Sequence, residues 1–392
     1  MAEALERGDS LIAVDTGHDL FSTFEPVAGR VRRIDVMDER RQPHWSPVHE
    51  IERPGDWHQL AQGLIGDGAG ESAEWRGMAK ALFAAVGSGY ATACEEEGRA
   101  FSNRAFFDLL MSAPPDVLAP LVAGTPAAAL ADNPKCLSSI RMSLLSPLRF
   151  FEHLPDRVDT LEPLSVRGWV RDAMADRTGQ MSLFLTYRQR DLSVVRNLLA
   201  ALVELAISEA IDSGKAERPI WLVIDELAGL GEIPALLTGA AQLRKTGVRL
   251  VVAIQDYDQV EAIYGKSRAA SICNNLSNKL FLRTTSGAAA ERMAHALGDR
   301  RVLVSVENQS EDARFLSSGS KTRGTSTSER DERTVMPAEI LGLPDLVGYA
   351  KMAGEGVVVK TPVPVFGGFE GKEQSGKRVK NLPGGAFIGM ER

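Results

Sequence analysis

The stretch that most constrains the fold is residues 219–264, PIWLVIDELAGLGEIPALLTGAAQLRKTGVRLVVAIQDYDQVEAIY. Its apolar run Ile220–Ile224 ends in two adjacent carboxylates, Asp225 and Glu226. A segment of helical character follows, and a second apolar run over 248–254 ends in Gln255. Apolar runs of this length between turn and helix signals suit strands buried on both faces of a parallel sheet. A strand–helix–strand crossover sets its two strands parallel, and open parallel sheets bind ligands beyond the carboxyl ends of their strands. Asp225, Glu226 and Gln255 occupy such ends, the layout of a nucleotide-driven motor.

The residue types match that chemistry. A Mg²⁺ ion on a nucleotide is held by few protein oxygens plus waters, and a strand-end aspartate commonly supplies one of them. Asp225 is the candidate metal ligand, acting on Mg²⁺ through water. Glu226 is the candidate base for the water that attacks the terminal phosphate of ATP. Gln255 is the candidate sensor on the neighbouring strand. A strand end that merely turns polar at the surface is the competing reading; the matched second strand with its terminal Gln weighs against it.

The same run resembles the second half of the motor domain of type IV secretion coupling proteins, the TraD- and TrwB-like ATPases related to the FtsK/HerA class of DNA pumps. Further segments are similar in family order. LIAVDTGHDLFSTF (11–24) resembles a strand that ends in Asp-Pro-x-Gly-Asp/Glu, NPKCLSSIRMSLLSPLRFFEHLP (133–155) a helical insertion, and LSVRGWVRD with MSLFLTYR the return to the sheet. ERTVMPAEILGLPDLVGYAKMAG (332–354) resembles the closing segment. The resemblance implies a RecA-like, doubly wound α/β domain with a mostly parallel sheet and an all-α insertion. It also implies that Asp15 is part of the cofactor-binding set. Thr16 stands where the family has proline, and His18-Asp19 where it has Gly-Asp/Glu.

A motor of this class needs G-x-x-x-x-G-K-[ST], whose backbone N–H groups and lysine hold phosphates. The sequence contains no such run: Gly265-Lys266-Ser267 is preceded five residues earlier by Val260 and is expected to follow a helix. Met1–Asp9 resembles the tail of the helix after the phosphate loop. The chain is therefore read either as a piece of a longer motor or as a truncated product that kept the DNA-handling part. No stretch reaches the roughly 18–20 uninterrupted apolar residues of a membrane span. The expected place is the cytoplasm, at the cytoplasmic face of the inner membrane if a longer form carries membrane helices.

Apolar residues form 44% and charged residues 25% of the 392, ordinary for packed domains. Cys94, Cys136 and Cys273 are scattered, which fits a reducing compartment and neither a zinc site nor a disulfide framework. The net charge of −7 weighs mildly against nucleic acid, although a ring-shaped pump needs only a basic channel. Arg244 and Lys245, at the end of the helix between the two motif strands, are the weak candidates for DNA contact; favourable interaction with the helix dipole explains them equally.

Along the chain, residues 1–56 are expected to open the RecA-like domain and 57–165 to form the all-α insertion. Residues 166–366 complete the domain, and 367–392 form a flexible tail. Strands are expected at 11–15, 31–36, 181–186, 279–282 and 357–359, and helices at 193–213 and 288–297. Residues 307–333, rich in Ser, Thr, Gly and both charge signs, read as an exposed loop. Two functions follow. The first is a motor that uses ATP hydrolysis to pump single-stranded DNA in conjugative transfer, with relaxase or relaxosome and secretion-channel proteins as partners and a homo-hexameric ring. The second is a non-hydrolysing DNA-binding or adaptor protein derived from such a motor.

Overall fold

The computed structural model describes residues 1–38, 44–67, 71–156, 162–311, 321–354 and 357–364. The strands are β1 (Ser10–Thr16), β2 (Val31–Ile34), β3 (His44–Trp45), β4 (Pro163–Leu164), β5 (Ser182–Tyr187), β6 (Ile220–Ile224), β7 (Val248–Val252), β8 (Lys279–Leu282), β9 (Asp299–Glu311), β10 (Lys321–Arg333), β11 (Val347–Lys351) and β12 (Val358–Pro362). Five form one wholly parallel sheet in the order β2-β5-β1-β6-β7.

Period-two alternation builds its two faces. Ile12 and Val14 of β1, Leu183 and Leu185 of β5, and Leu222 and Ile224 of β6 enter the main core. Leu11, Ala13, Phe184 and Val223 point to the opposite face, against the helices Ala2–Glu6 and Asp19–Phe24. The main face is covered by the helix Leu192–Asp212, whose buried residues go almost all the way round, as a central helix requires.

Of the expected insertion, the helix Asp56–Ile65 packs on this central helix, and the helix Glu71–Glu96 packs in turn on Asp56–Ile65. Gly63 of the helix Asp56–Ile65 sits so close to the central helix that an added Cβ would lie 2.9 Å from Ala201 Cα. Gly87 likewise leaves room on the 26-residue helix Glu71–Glu96 for the Trp57 ring, 2.5 Å from where a Cβ would stand. Where the chain enters and leaves this region, β3 pairs with β4. The buried Glu50 carboxylate there accepts hydrogen bonds from Trp45 Nε1 (2.8 Å), Ser165 Oγ (3.0 Å) and the N–H groups of Val166 (2.7 Å) and Arg167 (3.1 Å). It thereby caps the helix Val166–Ala175 from outside its own sequence.

Two expectations are corrected. β8 does not extend the parallel sheet but pairs antiparallel with β11 in a second sheet of order β12-β11-β8. In place of the loop expected over 307–333, β9 and β10 form a two-stranded antiparallel ribbon; residues 312–320 lie outside the described set. Opposed charges pair at its base, as in Arg333–Asp299 at 2.9 Å and Arg300–Glu332 at 3.5 Å. Such cross-strand pairs stabilise a ribbon poor in apolar residues. The expected strand 357–359 is present as β12, an edge strand. The expected tail lies outside the described residues. Among the described residues, no single helix is long and apolar enough to cross a membrane.

Candidate nucleotide site at the carboxyl edge of the sheet

Three adjacent strands bring the candidate residues together. In the parallel register Asp15 lies beside Thr186 and Thr16 beside Tyr187, while Val14 lies beside Ile224. Asp225 follows directly, its N–H donating to Val14 C=O at 3.3 Å. The chain then turns under Glu226, which caps the short helix Leu227–Leu230 by accepting the Ala228 N–H at Oε1, 3.2 Å away. Leu227 N–H reaches Ala253 C=O at 3.2 Å, joining this turn to the segment beyond β7. Gln255 lies three residues past the end of β7, exposed.

Asp15 is 0% exposed, and both of its oxygens are occupied. Oδ1 accepts from Leu20 N–H at 3.1 Å and Oδ2 from Phe21 N–H at 2.7 Å, so Asp15 satisfies the first turn of the helix Asp19–Phe24. The connection between strand and helix passes through two left-handed residues, Gly17 at φ 85° and His18 at φ 71°. His18 Nε2 lies 3.0 Å from Asp35 Oδ2. Asp35 in turn accepts from Arg33 Nη2 at 2.7 Å and Thr186 Oγ1 at 3.0 Å, a buried polar group under the site.

Burial raises the pKa of all three carboxylates, Asp15, Asp225 and Glu226. For Asp15 the two backbone N–H bonds oppose that rise, and the negative charge of Asp225 adds to it. Asp19 raises Asp225 further, and Asp225 adds to the rise of Glu226. Tyr187, fully buried, is raised first by burial and then by Glu226, Asp225 and Asp15. Its hydroxyl lies 2.6 Å from Thr16 Oγ1, tying β5 to β1 across the site. The edge is thus strongly acidic, and among the described residues no hydrogen bond or ion pair engages the Asp225 carboxylate. Raised pKa values and an unengaged, partly buried carboxylate make this edge the candidate functional site.

That carboxylate fits a Mg²⁺ ion held by few protein oxygens and several waters. No group of three or more His, Cys, Asp or Glu among the described residues could hold a metal alone. The donor set therefore suits a cation that arrives with phosphates. Phosphates find no cradle in these residues. Gly265, at φ 76°, links the helices Tyr257–Tyr264 and Lys266–Asn275, so Gly265-Lys266-Ser267 lies between two helices and not between strand and helix.

Arg244 and Lys245 lie elsewhere. Both are exposed in the last turn of the helix Pro234–Thr246, which leads into the amino end of β7, across the sheet from the carboxylates. Sequence reading missed Tyr187 and the part played by Asp19. The strand expected over 181–186 stopped one residue short of Tyr187, and its partner Thr16 is 171 residues away.

Comparison with known proteins agrees with this fold. Coupling protein TraD of Escherichia coli K12 is 27% identical over 363 residues, covering 91% of this chain and 49% of its own length. The chain thus spans about half the length of that relative. The unbound conjugative coupling protein TrwBdeltaN70 superposes with a TM-score of 0.76 at 27% identity, over 94% of this chain and 81% of that one. TrwB with ADP and Mg²⁺ gives 0.74 at 27% identity over the same shares. TrwB with a non-hydrolysable GTP analogue gives 0.74 at 26%. These matches support the RecA-like α/β fold seen here. Residues 1–363 match the type IV secretion-system coupling protein DNA-binding domain, and the chain belongs to that family.

Proposed function

We propose that this chain is the DNA-binding and motor portion of a conjugative coupling protein, which uses ATP hydrolysis to move single-stranded DNA. The observation that carries the reading is the pair Asp225–Glu226 at the end of β6, half-buried and beside Asp15 and Tyr187, in a fold shared with nucleotide-bound TrwB. Bound Mg·ATP would supply the terminal phosphate whose transfer to water drives movement. Asp225 would hold the cation through water. Glu226 would take a proton from the attacking water; its Oε1 is held by Ala228 N–H, which leaves Oε2 free for that task. Gln255, exposed beyond β7, would contact the water or the phosphate. Asp15 supports the site by fixing the turn through Asp19, and this capping is the role its two N–H bonds favour over direct cofactor contact. Residues 57–165 would act as an all-α insertion facing DNA or the relaxosome, with 1–56 and 166–366 as the motor domain. Arg244 and Lys245 would serve as weak DNA contacts. The working assembly would be a homo-hexamer at the cytoplasmic face of the inner membrane, handing DNA and relaxase to the secretion channel.

The second reading is a non-hydrolysing DNA-binding or adaptor protein derived from such a motor; the 392 residues contain no G-x-x-x-x-G-K-[ST] run. Phosphate release with Mg·ATP and single-stranded DNA separates the two, measured beside DNA binding by fluorescence anisotropy. The motor reading expects turnover once a phosphate loop is supplied, lost on Glu226→Gln with nucleotide binding kept. Turnover at the original rate in that variant removes Glu226 as the base. DNA binding with no turnover under any of these conditions leaves the adaptor.

A further inference from the structure

Charge is unevenly spread over the expected insertion. Residues 57–131 carry eight acids and four Lys or Arg, whereas 133–151 carry Lys135, Arg141 and Arg149 and no acid. The four cations of the first stretch are all engaged. Lys80 pairs with Asp67, Arg99 with Glu97 and Arg104 with Asp108, and Arg76 donates to Ile65 C=O at 3.0 Å. Among the described residues no ion pair engages Lys135, Arg141 or Arg149. Arg141 is spent on the backbone, its Nε donating to Leu110 C=O at 3.0 Å and its Nη2 to Ala113 C=O. Lys135 and Arg149 are exposed, and they are the free cations of this surface.

The helix Pro134–Leu145 lies between them. It buries Leu137, Ile140 and Leu144 on one side. On the other it leaves Lys135, Ser138, Met142 and Leu145 exposed, the i, i+3, i+7, i+10 spacing of a single helical face. Met142 is 72% exposed and Leu145 57%. A single exposed apolar side chain is ordinary, but two neighbours one turn apart between free cations make a contact surface. The helix is also held rigidly. Asn133 caps it by accepting the Cys136 N–H at 3.2 Å, and the Arg141 bonds fix it to the preceding helix Asn103–Met111 and the turn after it. Ser139 and Ser143 beside Met142 donate to carbonyls one turn back, at 3.3 and 3.2 Å, so their hydroxyls are already satisfied.

The chemistry of this face favours protein over nucleic acid. Surfaces that bind single strands combine cations with aromatic rings on which bases stack. Here the exposed centre is aliphatic, and the rings Trp57, Phe83, Phe106 and Phe150 of the insertion are buried. An adaptable thioether and a leucine at the centre, with cations outside them, match the apolar core and polar rim of a protein interface. A helix with a Leu-rich face bordered by carboxylates satisfies both parts. Its apolar side chains supply most of the affinity, and the charges mainly choose the partner.

We propose that the exposed face of the helix Pro134–Leu145 docks an acidic amphipathic helix of a partner protein, with Met142 and Leu145 against its apolar side and Lys135 and Arg149 facing its carboxylates. The docking requires no nucleotide chemistry, so it stands or falls apart from the motor reading.

Methyl NMR of the whole chain, labelled at its 11 methionines, reads the site directly, with the Met142 signal assigned from Met142→Leu. The probe is a capped peptide of about four helical turns, with Leu at i, i+3, i+4 and i+7 and Glu at the flanking positions. The control peptide has Lys for every Glu. The expected result is a saturable shift of the Met142 methyl with the Glu peptide and none with the Lys peptide. Met142→Ser combined with Leu145→Ser, followed through other methionine signals, should weaken binding about tenfold or more. Its melting temperature should stay unchanged, because both side chains are exposed. Lys135→Glu with Arg149→Glu should reverse the preference, so that the Lys peptide binds and the Glu peptide does not. No Met142 shift with the Glu peptide, or equal shifts with both peptides, overturns the proposal. A Met142 shift with oligo(dT) but not with the Glu peptide overturns it in favour of nucleic acid. A Met142 shift that grows with chain concentration in the absence of peptide overturns it in favour of a second copy of this chain.

Discussion

Replacing Asp15 with alanine separates a structural role from a ligand role, and the geometry sets the size of the effect. The substitution orphans the Leu20 and Phe21 N–H groups, now bonded at 3.1 and 2.7 Å to a side chain with no exposure. Each buried donor left unpaired costs about 1–3 kcal/mol, and loss of a helix N-terminal cap by itself costs about 1 kcal/mol. Burial already disfavours the Asp15 carboxylate, so removing it recovers part of that cost. The expected net loss is roughly 2 kcal/mol. Urea unfolding of the chain in the absence of any nucleotide measures it. Asp15→Asn, which keeps one acceptor and sets an amide N–H₂ against the other donor, should fall between wild type and Asp15→Ala. A loss below about 0.5 kcal/mol, the scale of an inconsequential surface change, would refute the capping argument and return Asp15 to the cofactor set.

Other outcomes follow from the same reasoning. Glu50→Ala leaves four donors without their acceptor at the junction of β3, β4 and the helix Val166–Ala175, and should cost about 4 kcal/mol or more; hydrogen exchange should show that junction opening first. Asp225 and Glu226 have folded-state pKa values raised above 3.8 and 4.5, so the fold favours their protonated forms. Their contribution is fully present below those ordinary values and is lost as pH rises through the raised ones. Asp225→Asn with Glu226→Gln should therefore stabilise the chain at pH 7–8, by about 0.5–1 kcal/mol per site for partly solvated groups. The gain should vanish below about pH 4, as read by thermal melts across pH. Tyr187→Phe removes the 2.6 Å tie to Thr16 and should cost about 1 kcal/mol, since the tyrosine ring stays buried.

The parallel strands were legible because burial on both faces writes itself as a short apolar run. β1, β5 and β6 fall within a residue or so of the expected bounds, and the Asp225–Glu226 pair sits where β6 ends. β7 stops at Val252, two residues before its apolar run does, and this leaves Gln255 on the exposed segment beyond it. Partners were less legible than strands. The apolar KLFL of β8 suits either kind of sheet, and only pairing with residues 348–351 decides for the antiparallel one. The ribbon β9–β10 depends on charge pairs some thirty residues apart, such as Arg333 with Asp299, which no local pattern announces. The Tyr187–Thr16 contact and the four-donor clasp on Glu50 likewise join distant residues, and a buried glutamate reads in the sequence like any surface one.

The central claim is that Asp225 and Glu226 mark a Mg²⁺-dependent nucleotide site. Replacing Mg²⁺ with paramagnetic Mn²⁺ in the presence of a non-hydrolysable ATP analogue, once a phosphate loop is supplied, tests it most directly, through line broadening in the amide spectrum of the isotope-labelled chain. The account predicts broadening centred on residues 15–19, 225–228 and 253–255, abolished by Asp225→Ala. Broadening centred elsewhere, or unchanged in that variant, would contradict it.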